Sequence, residues 1–315
     1  MLAELLLVLS GLPSSFFVPS PAPPAIPTTL SVSPSLSQYL HPGETSSLNT
    51  LGILAFRYSQ IREWALVTQL RARQAVLASH VKGKQKAIDG EVDPYLSTLA
   101  GSVLDALSGY EVLIVTTEAR ILSVDRALVQ DHQGYVPLSS LVATFSSWQA
   151  PMAALASLVD NLSSGEWPAG RLLELVYDLT RTGNPKLEGI FTKLLEALQH
   201  LFLTHLVTFL LHGLAPTTSL PTSPSIALDI GPDPLSPQHR IYALNDSLIP
   251  PSIRGGTRES ILYVGRVAAT LRREGRSLPT SLVDGLRENV MGVKGLDEGG
   301  GLNEAIQRTR AEVGE

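Results

Sequence analysis

Three histidines, His200, His205 and His212, come nearest in type and spacing to a set that could do chemistry. On a helix His200 and His205 lie about 140° apart, and His205 and His212 share a face two turns apart. A metal site needs several ligands converging on one point, and no Asp or Glu stands at helical spacing to complete that pair. The three are therefore read as packed or surface histidines. Gly299, Gly300 and Gly301 form a lone glycine run, which reads as a linker and not as a phosphate cradle. The chain has no GxGxxG, no Walker loop, no HExxH and no GxSxG. No catalytic, cofactor or metal residue is assigned, and the expectation is a protein that is not an enzyme and takes no cofactor.

Two basic stretches remain. Arg57, Arg62, Arg71, Arg73, Lys82, Lys84 and Lys86 form one; Arg254, Arg258, Arg266, Arg272, Arg273 and Arg276 form the other. Solvated helix faces are the plain reading, and an acidic protein partner is the functional one. Aromatic residues do not interleave with these charges, and the net charge is −5, so no nucleic-acid partner is expected.

The 315 residues are 44% apolar and only 17% charged, which excludes wholesale disorder. Cysteine is absent, so disulfides and zinc–thiolate sites are excluded. Leu5 to Leu9 is a short apolar run, but Glu4 sits where a signal peptide carries positive charge. Leu201 to Leu214 falls short of the ~20 residues a bilayer crossing needs, and Lys193, Glu196, Gln199 and His200 interrupt its extension. No membrane insertion is expected. Asn161-Leu162-Ser163 and Asn245-Asp246-Ser247 match the glycosylation pattern and, without a secretory signal, are chance matches.

Proline divides the chain. Of its 22 prolines, eight lie between Pro13 and Pro42 and eight between Pro216 and Pro251. Both stretches read as extended loops. The block between them reads helical. Leu48, Leu51, Ala55, Tyr58 and Ala65 recur at threes and fours except for one long gap, with Thr45 or Ser46 placed to cap the helix. Leu96, Leu99, Val103, Leu104 and Leu107 form the next stripe, followed by Tyr110, Leu113, Ile114, Ala119, Ile121 and Leu122, then Leu138, Leu141, Val142, Phe145 and Trp148. Pro151 kinks or restarts a helix. Asn184-Pro185 is a start signal for a helix whose apolar arc, Phe191, Leu194, Leu198, Phe202, Leu206 and Phe209 among others, is wide enough for a central core position, with Gly213 placed to end it. No stretch alternates convincingly as a strand, and no fixed repeat is visible. The fold class expected is all-α, in successive antiparallel helical bundles with two proline-rich loops.

Five short patterns then carry a resemblance. They are Glu4 to Pro13; Leu40-His41-Pro42-Gly43-Glu44-Thr45 followed by Leu48-Asn49; Tyr110 with Glu118; Glu174-Leu175-Val176-Tyr177 followed by Leu206 to Leu214; and Ile249-Pro250 followed by Glu259 to Gly265. In this order and spacing the chain resembles the gamma-tubulin complex components, closest to the fourth, short member. The resemblance covers the N-terminal half of that family's fold. It implies a structural subunit of the gamma-tubulin complex that supports microtubule nucleation through lateral contacts with sister subunits. Direct contact with gamma-tubulin is implied for a C-terminal half missing here, and the expected location is the cytoplasm and cytoskeleton, at the microtubule-organising centre or spindle pole.

The implied organisation is an N-terminal helical domain over 1–214 containing the loop 13–42, a proline-rich loop over 215–256, and a helical segment over 257–315. After Leu214 the chain departs from the family, with Ala215-Pro216-Thr217-Thr218-Ser219 where many members are acidic and aromatic. Leu5, Leu6, Leu9, His41, Glu44 and Thr45 are the candidate subunit-interface residues. For the three leucines, internal burial is the plainer alternative. A helical tethering or trafficking adaptor is the competing function.

Overall fold

The computed structural model describes residues 2–20, 29–81, 93–125, 136–165, 167–213, 226–228, 242–244, 248–276, 280–293, 296 and 301–314. Helix α1 (Leu2–Leu9) is followed by strands β1 (Phe17–Ser20) and β2 (Thr29–Val32) and the single turn α2 (Pro34–Ser37). Two long helices come next, α3 (Pro42–Val81) and α4 (Pro94–Leu122). Then come α5 (Leu138–Ser146), α6 (Gln149–Ser163), α7 (Ala169–Thr180) and α8 (Pro185–His212). Strands β3 (Ile226–Leu228) and β4 (Tyr242–Leu244) precede α9 (Gly255–Arg273), α10 (Thr280–Met291) and α11 (Leu302–Gly314). The fold is all-α, as its apolar periodicity predicts.

The chain forms two compact units, one of Met1–Arg71 with Ala100–Gly165 and one of Ala72–Leu99 with Glu166–Glu315. In the first unit, the inward face of α3 is the stripe Leu48, Leu51, Ala55, Tyr58, Ala65, all buried. Ile61, fully buried, fills the gap that the sequence pattern left between Tyr58 and Ala65. The facing stripe of α4 is Val103, Leu107, Tyr110 and Ile114. Helix α1 lies in the same core with Leu5, Val8 and Leu9 buried, and the Tyr110 hydroxyl donates to the Leu9 carbonyl at 3.2 Å, satisfying one of the carbonyls that a helix C-terminus leaves open.

Helix α5 ends at Ser146 and α6 begins at Gln149, so Pro151 occupies the first turn of a new helix. A missing N–H costs nothing there, since first-turn donors have no partner within the helix.

The first proline-rich stretch departs from the expectation of extended loop alone. Phe17 pairs with Val32, Val18 with Ser31, Pro19 with Leu30 and Ser20 with Thr29 in an antiparallel ribbon. Four residues are too few for alternation to register in a sequence, and proline's fixed φ suits an extended strand that has another strand on one side only. The ribbon is fastened to α3: the Val32 N–H donates to Asn49 Oδ1 at 2.9 Å. Gly52 lies so close to it that a Cβ there would meet the Leu30 carbonyl oxygen at 2.5 Å. Of the second proline-rich stretch, Ile226–Leu228 pairs antiparallel with Tyr242–Leu244. Residues 214–225, 229–241 and 245–247 lie outside the described residues, as do Lys82, Lys84, Lys86, Gly299 and Gly300.

In the second unit, α8 is the central helix. Phe191, Leu194, Leu198, Phe202, Leu206 and Phe209 are all buried, and α7, α9 and α10 pack around it. Its start follows the sequence signal: Asn184 Oδ1 accepts from the Lys186 N–H at 3.0 Å, with Pro185 in the first position. Its end is Gly213, with φ +57° and an N–H donating to the Phe209 carbonyl at 2.8 Å. That left-handed conformation, with the Ala269 backbone directly against the glycine, leaves no room for a side chain. Helix α11 docks on α9 through polar contacts. The Thr257 hydroxyl donates to Asn303 Oδ1 at 2.8 Å, and buried Ser260 Oγ accepts from Gln307 Nε2 at 3.2 Å and Arg310 Nη1 at 3.0 Å.

Candidate functional site

Among the described residues no three His, Asp or Glu side chains converge to hold a metal ion. The histidines of α8 differ in exposure. His200 and His212 are exposed. His205 is half-buried, with its Nδ1 3.2 Å from the hydroxyl of fully buried Tyr95 and the rings edge to face at 5.6 Å. Burial lowers the His205 pKa, so the neutral imidazole is favoured there.

His41, Glu44 and Thr45 form one local arrangement. The His41 N–H donates to Glu44 Oε2 at 3.0 Å, and the Gly43 N–H donates to His41 Nδ1 at 3.2 Å. This is a reciprocal capping box with histidine in the cap position, and it starts α3 at Pro42, upstream of the Thr45 or Ser46 cap expected from sequence. Thr45 instead donates its hydroxyl back to the His41 carbonyl at 3.3 Å. Leu5, Leu6 and Leu9 are buried within the first unit, and Leu7 and Leu12 are the exposed leucines of that segment.

The first unit is pinned by a cluster of rings. Tyr110 lies 5.0 Å from Tyr58, 5.9 Å from Phe145 and 5.6 Å from Trp148 between ring centroids. Tyr58 donates to Glu111 Oε1 at 2.6 Å. This cluster holds α3 and α4 so that each keeps an apolar strip in water. On α3 the strip is Leu66, Val67 and Leu70; on α4 it is Val112, Val115 and Leu122, with the two valines 61% and 62% exposed. Leu66 and Leu70 are one turn apart, as are Val112 and Val115. The sequence stripe Tyr110, Leu113, Ile114, Ala119, Ile121 and Leu122 mixes the two faces of α4: Tyr110 and Ile114 are buried, whereas Ala119 and Leu122 are exposed. Val112 and Val115 fall outside that stripe, and exposed apolar strips of this kind mark interaction surfaces.

Helices α4 and α8 are long and apolar enough to cross a membrane by length and composition. Half of the α8 window is buried within its unit, as a core helix requires, but only a third of the α4 window is. The surplus apolar surface of α4 is thus outward-facing, with Asp105, Glu111 and Glu118 exposed on the same helix.

A further concavity lies in the second unit, between α7, α8 and the Pro250–Pro251 turn. Leu173, Leu195, Pro250 and Leu296 form its buried apolar floor, and Glu174, Tyr177 and Asp178 stand at its mouth.

Among curated proteins, none matches this chain. The family described as "Gamma tubulin complex component N-terminal" matches residues 2–293, nearly the whole length and both units. A predominantly helical fold with apolar strips left exposed on its two longest helices is consistent with that match, and the chain belongs to the gamma tubulin complex component family through its N-terminal region.

Proposed function

We propose that this chain is a structural subunit of the gamma-tubulin complex, and that it supports microtubule nucleation by lateral contacts with sister subunits. The family match over residues 2–293 carries the reading. The exposed strips Leu66, Val67, Leu70 and Val112, Val115, Leu122 supply the physical means. Isolated apolar residues are common on any surface, but turn-spaced groups on two helices are costly in water unless a partner covers them. Contacts of this kind need area and shape complementarity and no catalytic groups.

In this reading the chain resembles the fourth, short member, and residues 1–214 form the assembling helical domain. His41, Glu44 and Thr45 set the start of α3 at the rim of the interface. Leu5, Leu6 and Leu9 act from beneath it by fixing α1. Gamma-tubulin is reached through the sister subunits of the complex, and the location is the cytoplasm and cytoskeleton, at the microtubule-organising centre or spindle pole.

The test is affinity purification of tagged residues 1–315 from native cells, with mass spectrometry of the proteins recovered. Sister complex components are the expected catch, with gamma-tubulin arriving through them. Recovery of vesicle-tethering machinery in their place would contradict the proposal and favour a trafficking adaptor.

A further inference from the structure

The cleft of the second unit has properties that the lateral contacts do not use. Its volume is about 260 Å³. That lies below the ~300 Å³ at which pockets for small organic ligands begin, but it is room for one large aliphatic side chain and part of a neighbour. Its floor is apolar: Leu173 from α7, Leu195 from α8, and Pro250 and Leu296 from the segments that close it.

The mouth is different in character. Glu174 and Asp178 are four residues apart on α7, so both carboxylates stand on the same side of the opening, and both are exposed. Tyr177 lies between them, 37% exposed, its ring forming a wall. Among the described residues no lysine or arginine lines the cleft. Arg181, from the residue following α7, has its guanidinium 5.8 Å from the centre of the Tyr177 ring and so answers part of the negative charge from outside the lining. Gln199 and Ser252 add polar groups to the lining, both able to hydrogen-bond a peptide backbone.

An apolar hole with two carboxylates at its mouth selects a ligand that is apolar at its centre and cationic at its edges. We propose that this cleft is a docking site for a peptide segment of a partner protein in which one aliphatic side chain is flanked by arginine or lysine. The aliphatic group fills the floor, and the flanking cations meet Glu174 and Asp178. The apolar contact supplies affinity, and the charge pairs supply orientation and rejection of acidic segments.

The experiment is fluorescence anisotropy with the intact chain and three labelled pentapeptides: Gly-Arg-Leu-Arg-Gly, the same with Glu for Arg, and the same with Gly for Leu. The first should bind roughly tenfold more tightly than either of the others, and its binding should weaken with salt. The Glu174→Lys/Asp178→Lys variant changes only exposed positions and should lose that preference while retaining its circular dichroism and melting temperature. Tyr177→Ala should weaken binding of the leucine peptide without altering the order of the charge variants. Equal binding of the arginine and glutamate peptides, or binding of none, would overturn the proposal. So would self-association of the wild-type chain that Glu174→Lys/Asp178→Lys abolishes, since a second copy would then be the occupant.

Discussion

The Tyr58 hydroxyl on α3 donates to the Glu111 carboxylate on α4 at 2.6 Å, while the Tyr58 ring packs 5.0 Å from that of Tyr110. The two contacts are separable. Tyr58→Phe removes the hydrogen bond and keeps the ring. Glu111 is half exposed and regains water, so the loss should be about 1 kcal/mol. Tyr58→Ala removes the ring as well and should cost about 3–5 kcal/mol, as for other large buried aromatics. Urea denaturation followed by circular dichroism measures both. Equal losses for the two variants would mean that the ring contributes nothing.

Tyr58, Tyr95 and Tyr110 all have their hydroxyls held above the ordinary pKa of 10.0, first by burial. Tyr58 is raised further by Glu111, Tyr95 by Asp93 and Tyr110 by Tyr58. A phenol whose folded pKa exceeds its unfolded one contributes stability below pH 10 that is lost as pH rises. In an ultraviolet titration these three of the chain's eight tyrosines should ionise only on unfolding. Smooth ionisation of all eight with the helical signal intact would contradict this.

Asp93 immediately precedes α4, and its Oδ1 accepts from the Tyr95 N–H at 2.8 Å. Its Oδ2 is buried without a hydrogen-bond partner. Burial pushes the carboxyl up from 3.8 to about 6, against the pull of the Tyr95 and Leu96 N–H groups. Folding therefore favours the protonated form: stability is greatest below about pH 4 and falls as pH rises to about 6, and the whole cost stands at neutral pH. Two pKa units correspond to about 3 kcal/mol. Asn keeps the cap without the charge, so Asp93→Asn should be more stable than wild type at pH 7.5 by about 2–3 kcal/mol, and no more stable at pH 4. Melting curves at the two pH values decide. A gain that is the same at both would place the cause elsewhere.

His41 and Glu44 satisfy the first donors of α3 reciprocally, and both are exposed. His41→Ala or Glu44→Ala should each cost about 0.5–1 kcal/mol, with the pair less than additive because each half supports the other. Hydrogen exchange of the first-turn amides, together with stability of the double variant, reads this directly. Strict additivity would mean that the two side chains act independently.

The elements were legible where the chemistry is local or the apolar period long. Asn184-Pro185 and Gly213 bracket α8 as their backbone demands require, and the Leu48-to-Ala65 stripe is the buried face of α3. The ribbon Phe17–Ser20 with Thr29–Val32 was not legible, because its pairing is settled by tertiary contacts, the Asn49 side chain and the bare backbone of Gly52. The His41 cap was missed because histidine is an unusual cap residue and the motif is read with Ser or Thr. The outward strips and the cleft were hidden for a further reason. Exposure is a property of what fails to pack, and Val112, Val115 and Tyr177 look like core residues until their neighbours are in place.

The role in assembly rests on the exposed strips of α3 and α4. The most direct measurement is affinity purification of wild-type residues 1–315 beside Leu70→Asp and Val115→Asp, each first checked for an unchanged melting curve. Both positions are more than half exposed, so the substitutions should alter stability by no more than about 0.5 kcal/mol. Sister gamma-tubulin complex components should co-purify with wild type and be lost from both variants. Their undiminished recovery with both variants would contradict the assignment of these strips to subunit contact, and their absence from the wild-type sample would contradict assembly through this part of the chain.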